Sequence, residues 1–126
     1  MDKDDYLEQF VFSHLTNLND GFDVVGIKYF SESDFGILLR RVEEQGIGIF
    51  GIEPWKNRDL YDVRSCEDYG LAPSDSQWYW KAFEAFKKED RGLLYAATFS
   101  VPKRLLNSEA QQNGAGKTDP QSGSLA

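Results

Sequence analysis

The segment covering residues 47–53 constrains the fold most, because its apolar side chains would point to both sides of an extended chain. On a strand, Ile47 and Ile49 would face one side and Phe50 and Ile52 the other. A strand that is apolar on both faces belongs inside a sheet that is covered on both sides. We therefore expect this strand to be buried and to end at the proline that follows it.

Hydrophobic periodicity predicts three helices and three further strands around this segment. The helices are predicted over residues 4–18, 31–45 and 75–89, and the strands over residues 22–30, 60–66 and 93–101. Ser31 and Ser74 are the predicted N-caps of the second and third helices, and Gly46 is the predicted stop of the second. A polar turn at residues 55–59 joins two of the strands into a hairpin.

The predicted element order is α-β-α-β-β-α-β, which indicates an α+β fold and a two-layer α/β sandwich. Without its first helix this order is the one found in ferredoxin-like folds. The sheet is therefore expected to be ferredoxin-like, or a related mixed four-stranded sheet. One observation argues against the ferredoxin-like strand order, in which the second strand lies at an edge, because here the second strand is the most apolar.

The chain has 126 residues, which is room for one domain, and we expect an α+β domain over residues 1–106. Residues 107–126 are rich in Gly, Ser, Gln and Asn, so a disordered tail is expected there. Cys66 is the one cysteine and cannot form an internal disulfide, which fits a reducing compartment. Because the sequence has neither a secretory signal pattern nor an apolar run long enough to span a membrane, we expect a cytoplasmic protein.

The charge of the chain is acidic and uneven. Its formal net charge is −7, and residues 1–75 carry 16 acidic and 7 basic side chains. Direct binding of nucleic acid is not expected, because phosphate backbones are bound by clustered Lys and Arg. An acidic body instead suits a basic protein partner, such as a nuclease, and would speed its association.

No catalytic or metal-binding pattern is complete, so neither a cofactor nor a metal is expected. Residues 46–51 match G-x-G-x-x-G, but a nucleotide site would need a strand before these glycines and a helix after them. Residues 114–118 lack the first glycine of a phosphate-binding loop. A thiol–imidazole pair of Cys66 and His14 is disfavoured, because His14 is predicted on the apolar stripe of the first helix.

Aromatic and acidic side chains interleave between residues 53 and 69, a pattern that suits the binding of a basic protein. The candidate partner-binding residues are Glu53, Trp55, Asp59, Tyr61, Asp62, Glu67, Asp68, Tyr69 and Trp80. Glu53 would share a side with Ile47 and Ile49, so it is either a desolvated carboxylate or the point where the strand enters solvent. Trp80 falls opposite the apolar stripe of its helix, so it is either exposed for binding or covered by residues 105–106 or the loop around Trp55.

In size, in acidity and in lacking a catalytic constellation, the chain resembles small bacterial immunity and inhibitor proteins. These proteins neutralise basic toxins, often nucleases, by covering the active site. The resemblance implies a non-catalytic protein-binding module and a basic toxin as its partner. Two alternatives remain: a small enzyme or ligand-binding domain with a pocket near Glu53, Trp55 and Tyr61, and an acidic inhibitor of a nucleic-acid-binding machine.

Overall fold

Two helices pack on one face of a four-stranded antiparallel sheet in the computed structural model, which describes residues 1–107. The elements are α1 (Lys3–Phe10), α2 (Glu32–Gln45), β1 (Gly48–Lys56), β2 (Asp59–Leu60), β3 (Arg64–Ser65), a 3-10 turn (Cys66–Tyr69), α3 (Ser76–Glu89) and β4 (Leu94–Ser100). The expected tail lies outside the described residues apart from residue 107. Among the described residues, no helix has the length and apolar character needed to span a membrane.

Strand β1 lies at the centre of the sheet. It pairs with β4 along one side, from Gly48 opposite Ser100 to Trp55 opposite Leu94, and with β2 and β3 along the other. These pairings are all antiparallel, so the α+β class is confirmed, whereas the expected mixed sheet is not found among the described strands. The most apolar strand is central rather than at an edge, so the strand order is not the ferredoxin-like one.

The core lies between the sheet and the helices α2 and α3. Tyr95 of β4 stacks on Phe35 of α2, with ring centroids 5.0 Å apart, and meets Phe83 of α3 edge-on at 5.1 Å. The predicted boundaries of α2 are confirmed, because Ser31 Oγ accepts a hydrogen bond from a first-turn amide and the helix ends at Gly46 with a φ of 72°. Helix α3 begins one residue later than predicted, with an aspartate rather than Ser74 as its N-cap.

A β-bulge in β1 changes which side chains share a face. The register against β4 shifts between Ile49 and Gly51, so Phe50 is left 46 % exposed while Ile49 and Ile52 are both fully buried. One inserted residue reverses the alternation of every side chain that follows it. The expectation that Glu53 lies on the side of Ile49 is therefore wrong: Glu53 lies on the face away from α2 and α3.

The sequence predicts that β1 ends at Pro54. In the structure the strand continues through Pro54 to Lys56. The Pro54 carbonyl accepts a hydrogen bond from the Tyr61 amide at 2.9 Å. Because the nitrogen and carbonyl of one residue point to the same side of an antiparallel strand, the Pro54 nitrogen also faces the hairpin. Because proline has no N–H, the ladder is interrupted there, which fits the gap between β2 and β3. The turn itself is formed by Asn57 and Arg58, which both have positive φ.

Helix α1 ends at residue 10, eight residues earlier than predicted. The Arg41 guanidinium donates to the carbonyls of Val11 at 2.9 Å and Ser13 at 2.7 Å, and the Gln45 amide donates to a carbonyl at the end of α1. These contacts satisfy carbonyls that a longer helix would have paired internally. His14 follows with a φ of 66° and is exposed, so its predicted place on an apolar helix stripe is wrong.

The predicted strand over residues 22–30 is reduced to a single bridge between Phe30 and Tyr95. The preceding loop is instead held by Asn19, whose side-chain amide donates to the carbonyls of Val24 at 3.1 Å and Ile27 at 2.8 Å. Side-chain hydrogen bonds of this kind compete with the sheet for backbone groups. The loop covers part of the second face of the sheet.

Candidate protein-binding surface

The structure separates the nine predicted residues into three places. Glu53 and Trp55 lie on the loop-covered face of the sheet, and Trp80 lies on the helical layer. Residues 59–69 lie along the hairpin side of β1. Tyr61 contacts α3 on the opposite side of the sheet from Trp55, so Glu53, Trp55 and Tyr61 do not line one pocket.

The hairpin side of the sheet carries exposed apolar side chains between carboxylates. Leu60 is 51 % exposed, Tyr61 38 % and Val63 46 %. We define the hairpin-edge surface as Asp59, Leu60, Tyr61, Asp62, Val63, Glu67 and Asp68, all of which are exposed. Leu60 and Val63 were not among the predicted residues. Their alternation with acidic residues in an edge strand is a sequence pattern that could have indicated their exposure.

The cations beside this surface are each engaged by a carboxylate from another part of the chain. The pairs are Lys56 with Asp90, Arg58 with Asp20 at 2.9 Å, and Arg64 with Glu89 at 3.3 Å. Arg64 is also turned inward, with its guanidinium carbon 4.9 Å from the centre of the Phe86 ring. These cations therefore contribute little free positive charge to the hairpin edge.

The carboxylates of the hairpin-edge surface are less engaged than the cations. Asp59 and Glu67 make no side-chain hydrogen bond or ion pair with any described residue. Asp62 accepts from its neighbouring amide at 2.8 Å and lies 3.9 Å from the Arg64 Nε, and Asp68 accepts from the Ser65 amide at 2.8 Å. The surface is consequently acidic.

The ion pair behind the hairpin keeps both of its charges at neutral pH. The hydrogen bond from Lys56 holds the pKa of Asp90 below its usual value, and the same bond raises the pKa of Lys56. The hydrogen bond from Tyr61 to Glu89, at 3.0 Å, raises the pKa of the Tyr61 phenol. The hairpin is thus fastened to the end of α3 by charged and polar contacts.

Tyr69 and Trp80 are less available than the sequence suggests. The Tyr69 hydroxyl accepts a hydrogen bond from Arg64 at 3.0 Å, and its ring packs 5.8 Å from that of Trp78. The indole N–H of Trp80 donates to Glu43 Oε1 at 2.9 Å, and the side chain is half-buried. Trp80 is therefore not a fully open anchor; it bridges α2 and α3.

Glu53 lies in an open groove of about 390 Å³ beside the outer edge of β4, which we call the edge groove. Its lining residues are Lys3, Asp4, Leu7, Glu8, Phe12, Gly26, Ile27, Lys28, Phe30, Glu53, Ala96, Ala97, Thr98 and Phe99. The Glu53 side chain is half-buried and makes no hydrogen bond or ion pair with a described residue. Trp55 is outside this groove and packs on Phe22 and Tyr29, with ring centroids 5.7 and 5.5 Å away.

Cys66 and His14, the two residues of the possible thiol–imidazole pair, lie in different environments. Cys66 is 6 % exposed in the core, whereas His14 is exposed on a loop. Nucleophilic catalysis needs a thiol that a substrate and a base can reach. Within residues 1–107, no three His, Cys, Asp or Glu side chains are grouped so that they could hold a metal ion.

Comparisons with known proteins give one distant relationship to report. No family model matches the chain, and no solved structure matches it. The chain is similar to a segment of the E3 ubiquitin-protein ligase ptr1 of Schizosaccharomyces pombe, with 29 % identity over 112 residues. The match covers 86 % of this chain but 3 % of that protein.

Proposed function

We propose that the chain is a non-catalytic, acidic module that binds a basic protein through the hairpin-edge surface. The observation that carries the proposal is the exposure of Leu60, Tyr61 and Val63 among carboxylates, while the neighbouring cations are held in ion pairs. Apolar anchors surrounded by charge are typical of protein interfaces. The uneven charge of the chain supports the same conclusion.

The more specific proposal is that the chain is an immunity protein that neutralises a basic toxin such as a nuclease. A nuclease active site is positively charged because it binds phosphates, so an acidic surface with central apolar anchors can occupy it. Such a protein acts in the cytoplasm, where the toxin would reach its target. The similarity to a ubiquitin ligase does not alter this proposal, because the match is confined to 3 % of that protein.

The test uses the protein encoded next to this chain in its own genome. We expect this neighbour to be toxic when expressed alone and harmless when the chain is co-expressed. Binding of the two purified proteins should slow steeply as salt rises, because exposed charges are screened beyond about 10 Å at 0.1 M salt. A neighbour without toxicity, or one that does not bind the chain, would contradict the immunity proposal.

A matched pair of charge-reversal variants locates the surface. Asp59→Lys with Glu67→Lys changes two carboxylates of the hairpin-edge surface, and Asp5→Lys with Glu44→Lys makes the same change in charge on α1 and α2. We expect the first variant to lower the association rate at least tenfold at low salt and the second to change it much less. Equal rates for the two variants would show that net charge, rather than this surface, controls association.

A further inference from the structure

The outer edge of β4 has unpaired backbone groups. Phe30 and Tyr95 exchange two backbone hydrogen bonds, at 2.9 and 2.8 Å, so Tyr95 faces outward. Outward-facing residues alternate along an antiparallel strand, so Ala97 and Phe99 face outward as well. Neither makes an outward backbone hydrogen bond with a described residue.

The segment of residues 22–30 pairs with the outer edge of β4 only at the bridge between Phe30 and Tyr95. Continued in the same register, Lys28 would pair with Ala97, but Lys28 instead turns to α1 and forms an ion pair with Glu8 at 3.1 Å. Gly26 has a φ of 104°, which turns the backbone away from the edge of β4. The Asn19 side-chain amide donates a hydrogen bond to the carbonyl of Ile27 at 2.8 Å. The loop is thus fixed by its own contacts, and the edge groove remains beside β4.

The edge groove has apolar walls and a net negative lining. Leu7, Phe12, Ile27 and Phe30 supply apolar surface. The charge of Lys28 is engaged by Glu8, and Lys3 and Asp4 of α1 carry opposite charges. Glu53, on the sheet, has no partner among the described residues. The free charge of the groove floor is therefore negative.

We propose that the edge groove is a strand-addition site for an extended segment of a basic protein. The added strand hydrogen-bonds to the backbone of Ala97 and Phe99, and one of its Lys or Arg side chains reaches Glu53. Tyr29, next to the Phe30 bridge, already occupies the position opposite Ala96, so the cation must come from the position opposite Thr98, on the same face as Glu53. Thr98 pairs with Gly51, which has no side chain to block the diagonal path to Glu53. With strands about 4.8 Å apart and about 3.4 Å per residue, Glu53 is roughly 12 Å diagonally from that position, within reach of two long side chains that meet.

The inference rests on the proposed function for the basic character of the partner, but it uses a different surface. Charge selects this occupant over a neutral or acidic strand, because an acidic side chain opposite Thr98 would approach the unpaired carboxylate of Glu53. A second copy of the chain is the competing occupant. Its β4 edge carries no Lys or Arg from Leu94 to Ser100, so it has no cation to offer Glu53.

The first test uses a labelled, end-blocked heptapeptide of alternating valine and lysine, measured by fluorescence anisotropy with the full chain. Two further peptides carry N-methyl groups on one or the other alternate set of backbone amides. We expect saturable binding at up to about 1 mM peptide, lost with one methylated set and retained with the other. Equal loss with both sets, or no binding of the unmethylated peptide, would overturn the proposal.

The second test locates the binding on this chain. Glu53→Gln should weaken binding of the valine–lysine peptide about tenfold or more, because it removes a charge-assisted contact, whereas Glu44→Gln should not. Thr98→Lys places a cation on the groove floor and should weaken binding as well. In hydrogen exchange, the amides of Ala97 and Phe99 should become slower when the peptide binds, while that of Thr98, which faces β1, is slow already. An unchanged affinity of both groove variants would refute the assignment.

Two controls separate this inference from its rivals. The hairpin-edge variant Asp59→Lys with Glu67→Lys should bind the peptide as the unaltered chain does, so failure of the hairpin proposal and failure of this one are distinguishable. Sedimentation of the free chain should give a monomer. A dimer that dissociates as the peptide is added would show that a second copy occupies the groove, which contradicts the proposal.

Discussion

Replacing Tyr95 by Phe should stabilise the protein. Tyr95 is fully buried, and its hydroxyl has no hydrogen-bond partner among the described residues. Burial also raises the pKa of this phenol, so it stays neutral. An unpaired buried hydroxyl costs about 1–3 kcal/mol in proteins, and Phe removes it while keeping the ring that stacks on Phe35.

Tyr29→Phe is the matched control, because Tyr29 is equally buried but its hydroxyl donates a hydrogen bond to the Asp23 carboxylate. This hydrogen bond lowers the pKa of Asp23, which indicates that it favours the charged carboxylate. Tyr29→Phe should therefore destabilise the protein. The two substitutions delete the same atom and should have opposite effects.

Thermal and urea denaturation measure both effects. A gain of about 1 kcal/mol corresponds to a rise in Tm of roughly 4–8 °C for a domain of up to 100 residues. The urea midpoint should shift without a change in slope, because the exposed surface on unfolding is nearly the same. A lower Tm for Tyr95→Phe would refute the reasoning, since it would mean that the hydroxyl is satisfied in solution.

Two further predictions concern contacts between distant segments. Arg41→Met should lower the free energy of unfolding by about 1.5–3 kcal/mol and speed hydrogen exchange in α1, because it removes the donors to the carbonyls of Val11 and Ser13; unchanged exchange would contradict this capping role. Asp90→Asn should make the protein less sensitive to acid, as measured by Tm at pH 7 and pH 3. The folded pKa of Asp90 is below its unfolded value of about 3.9, so the stability it contributes is present above that value and is lost as pH falls through the folded pKa; equal losses of Tm in both proteins would count against it.

Much of the helical layer could be predicted because its signals are local. The caps of α2 at Ser31 and Gly46 act within a few residues of the helix ends, and so they are visible in the sequence. The end of α1 was mispredicted because Arg41, some 30 residues away, supplies the hydrogen bonds that terminate it. A contact of that separation leaves no mark in a local pattern.

The side on which Glu53 lies depends on a feature of pairing that the sequence does not reveal. The apolar residues of β1 predict a buried strand, but a regular alternation of its side chains does not include the bulge between Ile49 and Gly51. Glycine at position 51 is compatible with a bulge and equally with plain close packing, so it does not decide between them. The placement of Glu53 in the edge groove follows from the bulge and therefore could not be predicted from the sequence.

The mispredicted strand over residues 22–30 and the edge groove share one physical cause. The segment has the β-branched and aromatic composition of a strand, but composition states only that a segment fits a sheet, not that a partner strand is free to pair with it. Asn17 Oδ1 accepts from the Tyr29 amide at 3.0 Å, and the Asn19 amide holds the Val24 and Ile27 carbonyls, so backbone groups of the segment are satisfied locally. Residues 22–30 therefore do not form the strand that would have paired with the outer edge of β4. That unpaired edge is where we propose that a partner strand binds.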